Sequence, residues 1–429
     1  MSALALDTEL DRPQTAETGD ISQVISALRA GGEAAIIAAA HAVAPIVAAN
    51  ADKHDRDGTY PADSFAALWA VGLTSLSLPA KLGGVGASFT ATARAVQIIA
   101  AADGSTAFVL KAHLSSLRDG ARNWPDGPRG EFLKAILSGP AHRSGSRSDK
   151  AGGSPARGGV PGCTARLITL ADGKQAWKIN GHKTYATHSV GAGWFGIWGA
   201  THPDDGDVKV GTFLVPANTP GFQILEGSWD HLGMRGTVSN DLILKDVVIP
   251  YEYALGLLPF NGADPAASRR LQATAVDWTS GLEAAVYSGL AVAARDWLTG
   301  YLHTRKPASL NAPLSSLPRF QEAVGEIDLL IQNSQLVVDH LAGRIDRQIA
   351  DPAALEVPVN AIETGLARVQ AVRNSHKAID LALTLVGNYG LSHHHPLQRY
   401  FRDVLCGRVH EPQADVLLTV RGKQVLGIV

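Results

Sequence analysis

WKINGHKTYATHS (177–189), VGTFLVPANTPGFQI (210–224) and WDHLGMRGTVSNDLILKDVVIP (229–250) decide the fold of this chain. Each run carries β-branched or aromatic residues at near-alternate positions, the spacing of a strand with one buried face. Asn180-Gly181, Thr219-Pro220-Gly221, Gly233 and Gly236 punctuate them, as short strands and tight turns require. The stretch reads as a small antiparallel β domain. Long helical patterns lie on both sides, so the fold class is α+β: an N-terminal helical domain over 21–138, a middle β domain over 139–255 and a C-terminal helical bundle over 256–429.

Composition narrows the function classes. With 429 residues, 45% of them hydrophobic and 18% charged, the chain is long enough for two or three domains around substantial cores. A net charge of -2 offers no general attraction to nucleic acid or anionic lipid. Two cysteines, Cys163 and Cys406, support neither a disulfide framework nor a thiolate metal site and fit the reducing cytoplasm. Residues 1–20 carry Asp7, Glu9, Asp11 and Glu17 without an apolar run, so they read as a disordered N-terminus and not as a signal peptide. The later apolar runs are broken by Gly, Pro or charge, and no membrane span is expected.

Before the β module, the alanine-rich run 31–50 is a good helix by propensity, and Pro61 opens a second with Phe65, Leu68 and Trp69 on one face. Helices are expected from about Thr90 to Ala102 and from Thr106 towards Leu117, separated by Asp103-Gly104-Ser105. The Gly-, Ser- and Arg-rich stretch 138–166 reads as a long loop, whose Arg143, Arg147, Arg157 and Arg166 suit either a phosphate-bearing ligand or a solvated face. After the module, LEAAVYSGLAVAARDWLTGYLHTR and FQEAVGEIDLLIQNSQLVVDHLAGRI are amphipathic helices that must pack as a bundle. His393-His394-His395 point in divergent directions as consecutive residues, and no metal site is expected there.

The order Asp55-x-x-Gly58-x-Tyr60-Pro61, Gly72-Leu73, Leu76-x-x-Pro79, Gly83-Gly84-x-Gly86, followed by INGHKTYATHS and LGMRGT-x-S, resembles the acyl-CoA dehydrogenase superfamily. The resemblance runs from about Asp55 to Leu426 and implies a flavin against the β domain. Tyr185 and Thr187 fall where the family has an aromatic residue and a threonine beside the isoalloxazine. Ser144 stands in the segment that carries the family's Thr-Glu pair, which is absent here. Arg305 matches an arginine that reaches the flavin diphosphate of a neighbouring subunit, Gln321 resumes the register after a short insertion, and Gly387-Asn388 resembles the Gly-rich turn near that diphosphate. His188 at a strand end is more simply a hydrogen-bonded structural residue than a base.

The substrate end departs from the pattern. Asp277 matches the family, but Trp278, Thr279 and Ser280 replace the two arginines flanking a threonine, so these positions imply a different ligand mouth. Counting from Arg402-Asp403, Glu411 lands where medium-chain acyl-CoA dehydrogenases carry the α-proton base. The phrase His410-Glu411-Pro412 also resembles a divergent branch of reduced-flavin monooxygenases that has His-x-Pro there, which makes His410 the second catalytic candidate. Two readings follow from the resemblance. One is an FAD-dependent dehydrogenase handing electrons to an electron-transfer flavoprotein; the other is a monooxygenase using FMN or FAD reduced by a separate flavin reductase on a small apolar, aromatic, sulfur or amine substrate. Both imply a small-molecule substrate and a homotetramer, and a catalytically silent flavin protein of the same fold is the third possibility.

Overall fold

The computed structural model describes residues 21–150, 158–260 and 278–428. The N-terminal segment 1–20, Arg157 and Asp277 therefore lie outside the described residues. Helix α1 (Ser22–Asp57) bends at Gly32, whose φ of 60° and ψ of -146° only glycine adopts easily. By length and composition α1 is apolar enough to cross a bilayer, a property that reading the run as broken by Gly and Pro had missed. In the fold its Ile36, Ala40, Val43 and Val47 are a buried stripe of the helical core. Helix α2 (Ala62–Ala70) packs on α1, and α3 (Phe89–Ala102) and α4 (Gly104–Asn123) follow. Asp103 is not merely a break between them: its carboxylate accepts from Thr106 N and Oγ1 at 2.8 and 2.7 Å, capping α4 two residues earlier than expected. Helix α5 (Asp126–Ser138) ends the N-terminal helices.

One mixed eight-stranded sheet forms the middle of the chain: β1 (His142–Ser146), β2 (Thr164–Thr169), β3 (Gln175–Lys183), β4 (Ala192–Thr201), β5 (Lys209–Pro216), β6 (Phe222–Leu225), β7 (Asp241–Pro250) and β8 (Ala254–Pro259). Its order is β6-β7-β3-β2-β4-β5-β8, antiparallel except that β2 and β1 both run parallel to β4, at its two ends. The strand β1 corrects the reading of 138–166 as a loop throughout. HRSGS has no alternation of apolar residues because polar side chains fill its buried positions: it is covered by α4 and paired to β4, with His142, Arg143, Ser144 and Ser146 buried and Gly145 open. Trp177, Ile179, Phe195, Phe213, Leu242 and Ile249 form the core of the sheet.

Helix α6 (Trp278–Thr304) returns the chain to the helical layer, joined by α7 (Pro318–Ala350), α8 (Ala361–Val386), α9 (Leu397–Cys406) and α10 (Ala414–Val425). α6 packs on α3, α4 and α8, so the N-terminal and C-terminal helices share one core. A polar clamp fixes the sheet to both. Arg402 bonds the Asp55 carboxylate and the Leu232 carbonyl, Arg235 Nε donates to the Asp55 carbonyl at 2.7 Å, and Met234 N donates to Asp403 at 2.6 Å. A Cβ on Gly233 would stand 2.2 Å from the Arg402 carbonyl oxygen, so only glycine permits this approach.

Asp346 of α7 ties the same layers by accepting from Phe89 N (2.6 Å), Thr90 N (3.0 Å) and Thr90 Oγ1 (2.6 Å) at the start of α3. Asp346→Ala leaves those donors without their charged partner, and a loss of about 2 kcal/mol is expected from urea unfolding. A loss below about 0.5 kcal/mol would show that water replaces the carboxylate without cost.

Candidate active site

The site is built first from two loops of the β domain. Tyr185, His188, Met234 and Val238 all hold left-handed backbone, with φ of 60°, 50°, 52° and 41°. For a β-branched residue such as Val238 that conformation is a true outlier, and strain of this kind persists only where surrounding contacts impose it. Here the loops impose it on each other: Ala186 N donates to Asn240 O, His188 N to Thr237 O, and Ser189 Oγ to Val238 O. Tyr185 is consequently held outwards, 58% exposed, with Trp229 and His231 edge-on to its ring. Ser144 Oγ donates to the Thr187 carbonyl at 2.8 Å, bringing β1 to the same place. Thr237 Oγ1 donates to Met234 O at 2.8 Å, so its 2.8 Å contact with Ser239 Oγ takes the Ser239 proton, and Thr187 Oγ1 lies 3.2 Å from the same Ser239 oxygen.

Behind this edge lie His113, His142 and His188, packed edge to face at centroid distances of 4.6 Å (His113 to His142) and 5.7 Å (His142 to His188). His113 Nε2 meets the Thr74 carbonyl and His188 Nε2 the Arg143 carbonyl, so these nitrogens carry the protons of the neutral rings. Burial disfavours the charged forms and pushes His113 down to about 4, His188 down to about 3 and His142 well below the ordinary range. His188 is thus structural.

The facing wall comes from the bundle. Glu283 of α6 binds Lys111 of α4 at 2.5 Å and Arg368 of α8 at 2.9 Å, and all three side chains are buried. Burial alone would raise the Glu283 carboxyl; the Lys111 charge, the His410 ring and the Arg368 charge together reverse that and hold it at about 2. Arg368 also donates to the carbonyls of Glu411 (3.0 Å) and Pro412. The turn after α9 is thereby oriented. His410 enters the interior, stacked on Phe108 at 4.7 Å and bonded through Nε2 to Tyr287 Oη. Burial lowers its pKa to about 4, with Glu283 opposing, so the ring is neutral near pH 7. Glu411 points the other way: its carboxylate is 20% exposed and faces Arg147 at 3.7 Å.

The structure therefore brings Tyr185, Thr187 and Ser144 together on the sheet, and His410 and Glu411 to opposite sides of one turn. Arg305, Gln321, Gly387 and Asn388 are exposed and lie elsewhere, at the far end of α6. There Tyr301 stacks on Tyr389 at 5.3 Å beside a surface pocket of about 410 Å³. No described contact joins them to the Tyr185 edge. Trp278 is buried between Phe89 and the Arg118 guanidinium, and Ser280 is also buried, so neither forms an open mouth. Arg143 lies under the Trp124 ring and donates to Ser116 O, while Arg166 pairs with Asp204. Sequence reasoning missed Lys111, Glu283, Tyr287 and Arg368. Their signal was present, since TAFVLKAHL and GLEAAVYSGL each carry one charge in an otherwise apolar helical run.

A helical layer clasping a mixed sheet, with a site between the two, defines an acyl-CoA dehydrogenase-type fold. Family profiles described as acyl-CoA dehydrogenase N-terminal, middle and C-terminal domains match residues 33–121, 148–247 and 282–413. YdbM of Bacillus subtilis (strain 168), which carries an acyl-CoA dehydrogenase name, is 30% identical over 371 residues, covering 86% of this chain and 90% of its own. The chain belongs to the acyl-CoA dehydrogenase family. It is also similar to L-evernosamine nitrososynthase of a Micromonospora species, 26% identical over 390 residues, with 87% of this chain and 85% of the relative covered. Among solved structures, KijD3 in complex with FMN and a dTDP-linked amino-keto sugar superposes with a TM-score of 0.74 at 25% identity, covering 97% of this chain and 96% of KijD3.

The histidine cluster predicts a pH dependence. Folded His113 and His188 refuse protons that the unfolded chain accepts near pH 6.5, so the stability linked to them is complete above 6.5 and is lost as pH falls from there towards 4 and 3. The His113→Gln/His188→Gln variant retains a donor for each carbonyl, and its unfolding between pH 6.5 and 4 should take up about two fewer protons. Identical stability-against-pH curves for variant and parent would refute the assignment.

Proposed function

We propose that this chain is a flavin-dependent monooxygenase of the acyl-CoA dehydrogenase family, working on a small substrate with flavin reduced by a separate reductase. The observation that carries this reading is the direction of the 408–412 turn. His410 is the residue presented to the interior, between Phe108 and Tyr287, whereas Glu411 is turned to Arg147 with its carbonyl fixed by Arg368. The Glu411 carboxylate faces the Arg147 guanidinium at 3.7 Å, away from the Phe108 and Tyr287 rings that receive His410. The nitrososynthase and FMN-bound KijD3 likenesses favour the same branch.

The residues fit a flavin. Tyr185 offers an exposed ring on strained backbone, Thr187 a half-buried hydroxyl, and Gly145 of β1 open space where a side chain would otherwise stand. When bound and reduced, the flavin supplies activation of dioxygen. Around it, Thr187 would orient the ring with Ser144 holding the Thr187 carbonyl from behind, Phe108 would exclude water, and the neutral His410, its Nε2 held by Tyr287, would hold or pass a proton at Nδ1. Arg305, Gln321, Gly387 and Asn388 lie apart from that edge, which supports their reaching a flavin bound by a neighbouring subunit. Leu329 and Leu336, 59% and 67% exposed and two turns apart on α7, supply an apolar stripe for such an assembly.

The dehydrogenase reading keeps one specific support, the retained Glu411 at the family's base position. The two readings separate cleanly. Dithionite-reduced protein, mixed with air and a panel of phenols, amines and thioethers, is expected to form oxygenated product, and His410→Gln to slow this about 10²-fold with flavin content unchanged. Glu411→Gln should stay within about threefold of the parent, because it removes no buried proton donor. Anaerobic bleaching of the flavin by an acyl-CoA, slowed about 10²–10⁴-fold by Glu411→Gln, would overturn the monooxygenase assignment. Light scattering is expected to give a homotetramer, and a flavin-loaded monomer would contradict the shared-site reading.

A further inference from the structure

The buried ion network beside His410 carries information about the substrate. Lys111 is 3% exposed, and an ammonium has three N–H donors. Among the described residues it has one hydrogen-bond acceptor, Glu283 Oε1 at 2.5 Å, and otherwise lies over the Phe108 ring at 3.9 Å. Arg368 is differently placed, because its terminal nitrogens are already engaged by Glu283 and by the carbonyls of Glu411 and Pro412. The charges do not balance: Lys111 and Arg368 against Glu283 leave one positive charge in the interior, and the His410 ring adds none when neutral. Uncompensated buried charge is costly, and it is retained where a ligand completes the site. Arg368 has only its Nε without a hydrogen-bond acceptor among the described residues, and Lys111 lies on the same phenyl ring that His410 stacks on.

We propose that the site takes a small substrate bearing an anionic oxygen group, such as a carboxylate, phenolate or sulfonate, and that the Lys111 ammonium binds it. The anion supplies an acceptor to the Lys111 ammonium and neutralises the network. A long apolar acyl chain is disfavoured at the same place, since it would desolvate Lys111 and Glu283 without offering either a partner. This rests on the reading that the His410 face receives substrate, and it deepens that reading by naming the chemical class.

Calorimetric titration of the flavin-loaded protein with benzoate and benzenesulfonate, against the neutral benzamide and benzyl alcohol, tests the proposal. The anions are expected to bind at least about tenfold more tightly than the neutral probes, a difference of about 1.4 kcal/mol. Lys111→Gln should reduce that preference to within about twofold, and Lys111→Arg should preserve it, because only the cation is retained. Equal binding of charged and neutral probes to the parent protein would overturn the inference, as would an undiminished anion preference in a folded Lys111→Gln variant. The parent comparison stands even if a variant fails to fold. Binding is read without turnover, so a protein that prefers anions yet activates no oxygen loses the proposed reaction and keeps this assignment.

Discussion

Glu283 is one carboxylate placed between two buried cations, and the arrangement of the bundle depends on it. It joins α4 through Lys111 and α8 through Arg368, and Arg368 in turn holds the carbonyls of Glu411 and Pro412. Such pairs add little net stability over apolar packing, but removing one partner strands a buried charge at a cost of about 3–5 kcal/mol. The network therefore acts less as adhesive than as a constraint on geometry. Three helices and the turn after α9 must meet in one register for Glu283 to reach both cations, and that register stacks His410 on Phe108 and turns Glu411 to Arg147.

The opposite wall is constrained by different means. Under Tyr185 and Thr187, two loops in left-handed backbone brace one another through main-chain bonds and the Ser239 and Thr237 hydroxyls. Strain in these loops is sustained because the second is pinned to the bundle, where Gly233 touches the Arg402 carbonyl and Asp403 accepts from Met234 N. Burial raises the Asp403 carboxyl to about 7, with Met234 N–H opposing and Asp103 and Asp55 adding to the rise. The bond that registers sheet against bundle therefore involves a carboxyl near its titration point at neutral pH.

Much of the architecture was legible because it follows from local rules. Trp177, Ile179, Leu242, Leu244 and Ile249 alternate as strands should, and the apolar stripes of α6 and α7 repeat as helices should. The strand β1 was not legible, because a strand that buries polar side chains at successive positions has no period to read. His142 is an example: it is buried among Phe65, His113 and His188, and nothing in AHRSGS announces that. The bilayer-length apolarity of α1 was underread for the converse reason, since Gly32 bends the helix without ending it.

In the site, register was legible and direction was not. Counting from Arg402-Asp403 singles out Glu411 by register alone, but whether a turn residue faces in or out is settled by what grips its backbone, here Arg368 from a helix some forty residues away. The same holds for charge. Lys111 and Glu283 each read as a lone defect in an apolar helix, and neither is informative until the fold places them at 2.5 Å from one another. A pair of isolated charges in helices that must both pack inwards is itself a constraint, because each excludes every packing that leaves it unpaired. Such charges specify which helices are neighbours, and in this chain the neighbours they specify are the ones that enclose His410.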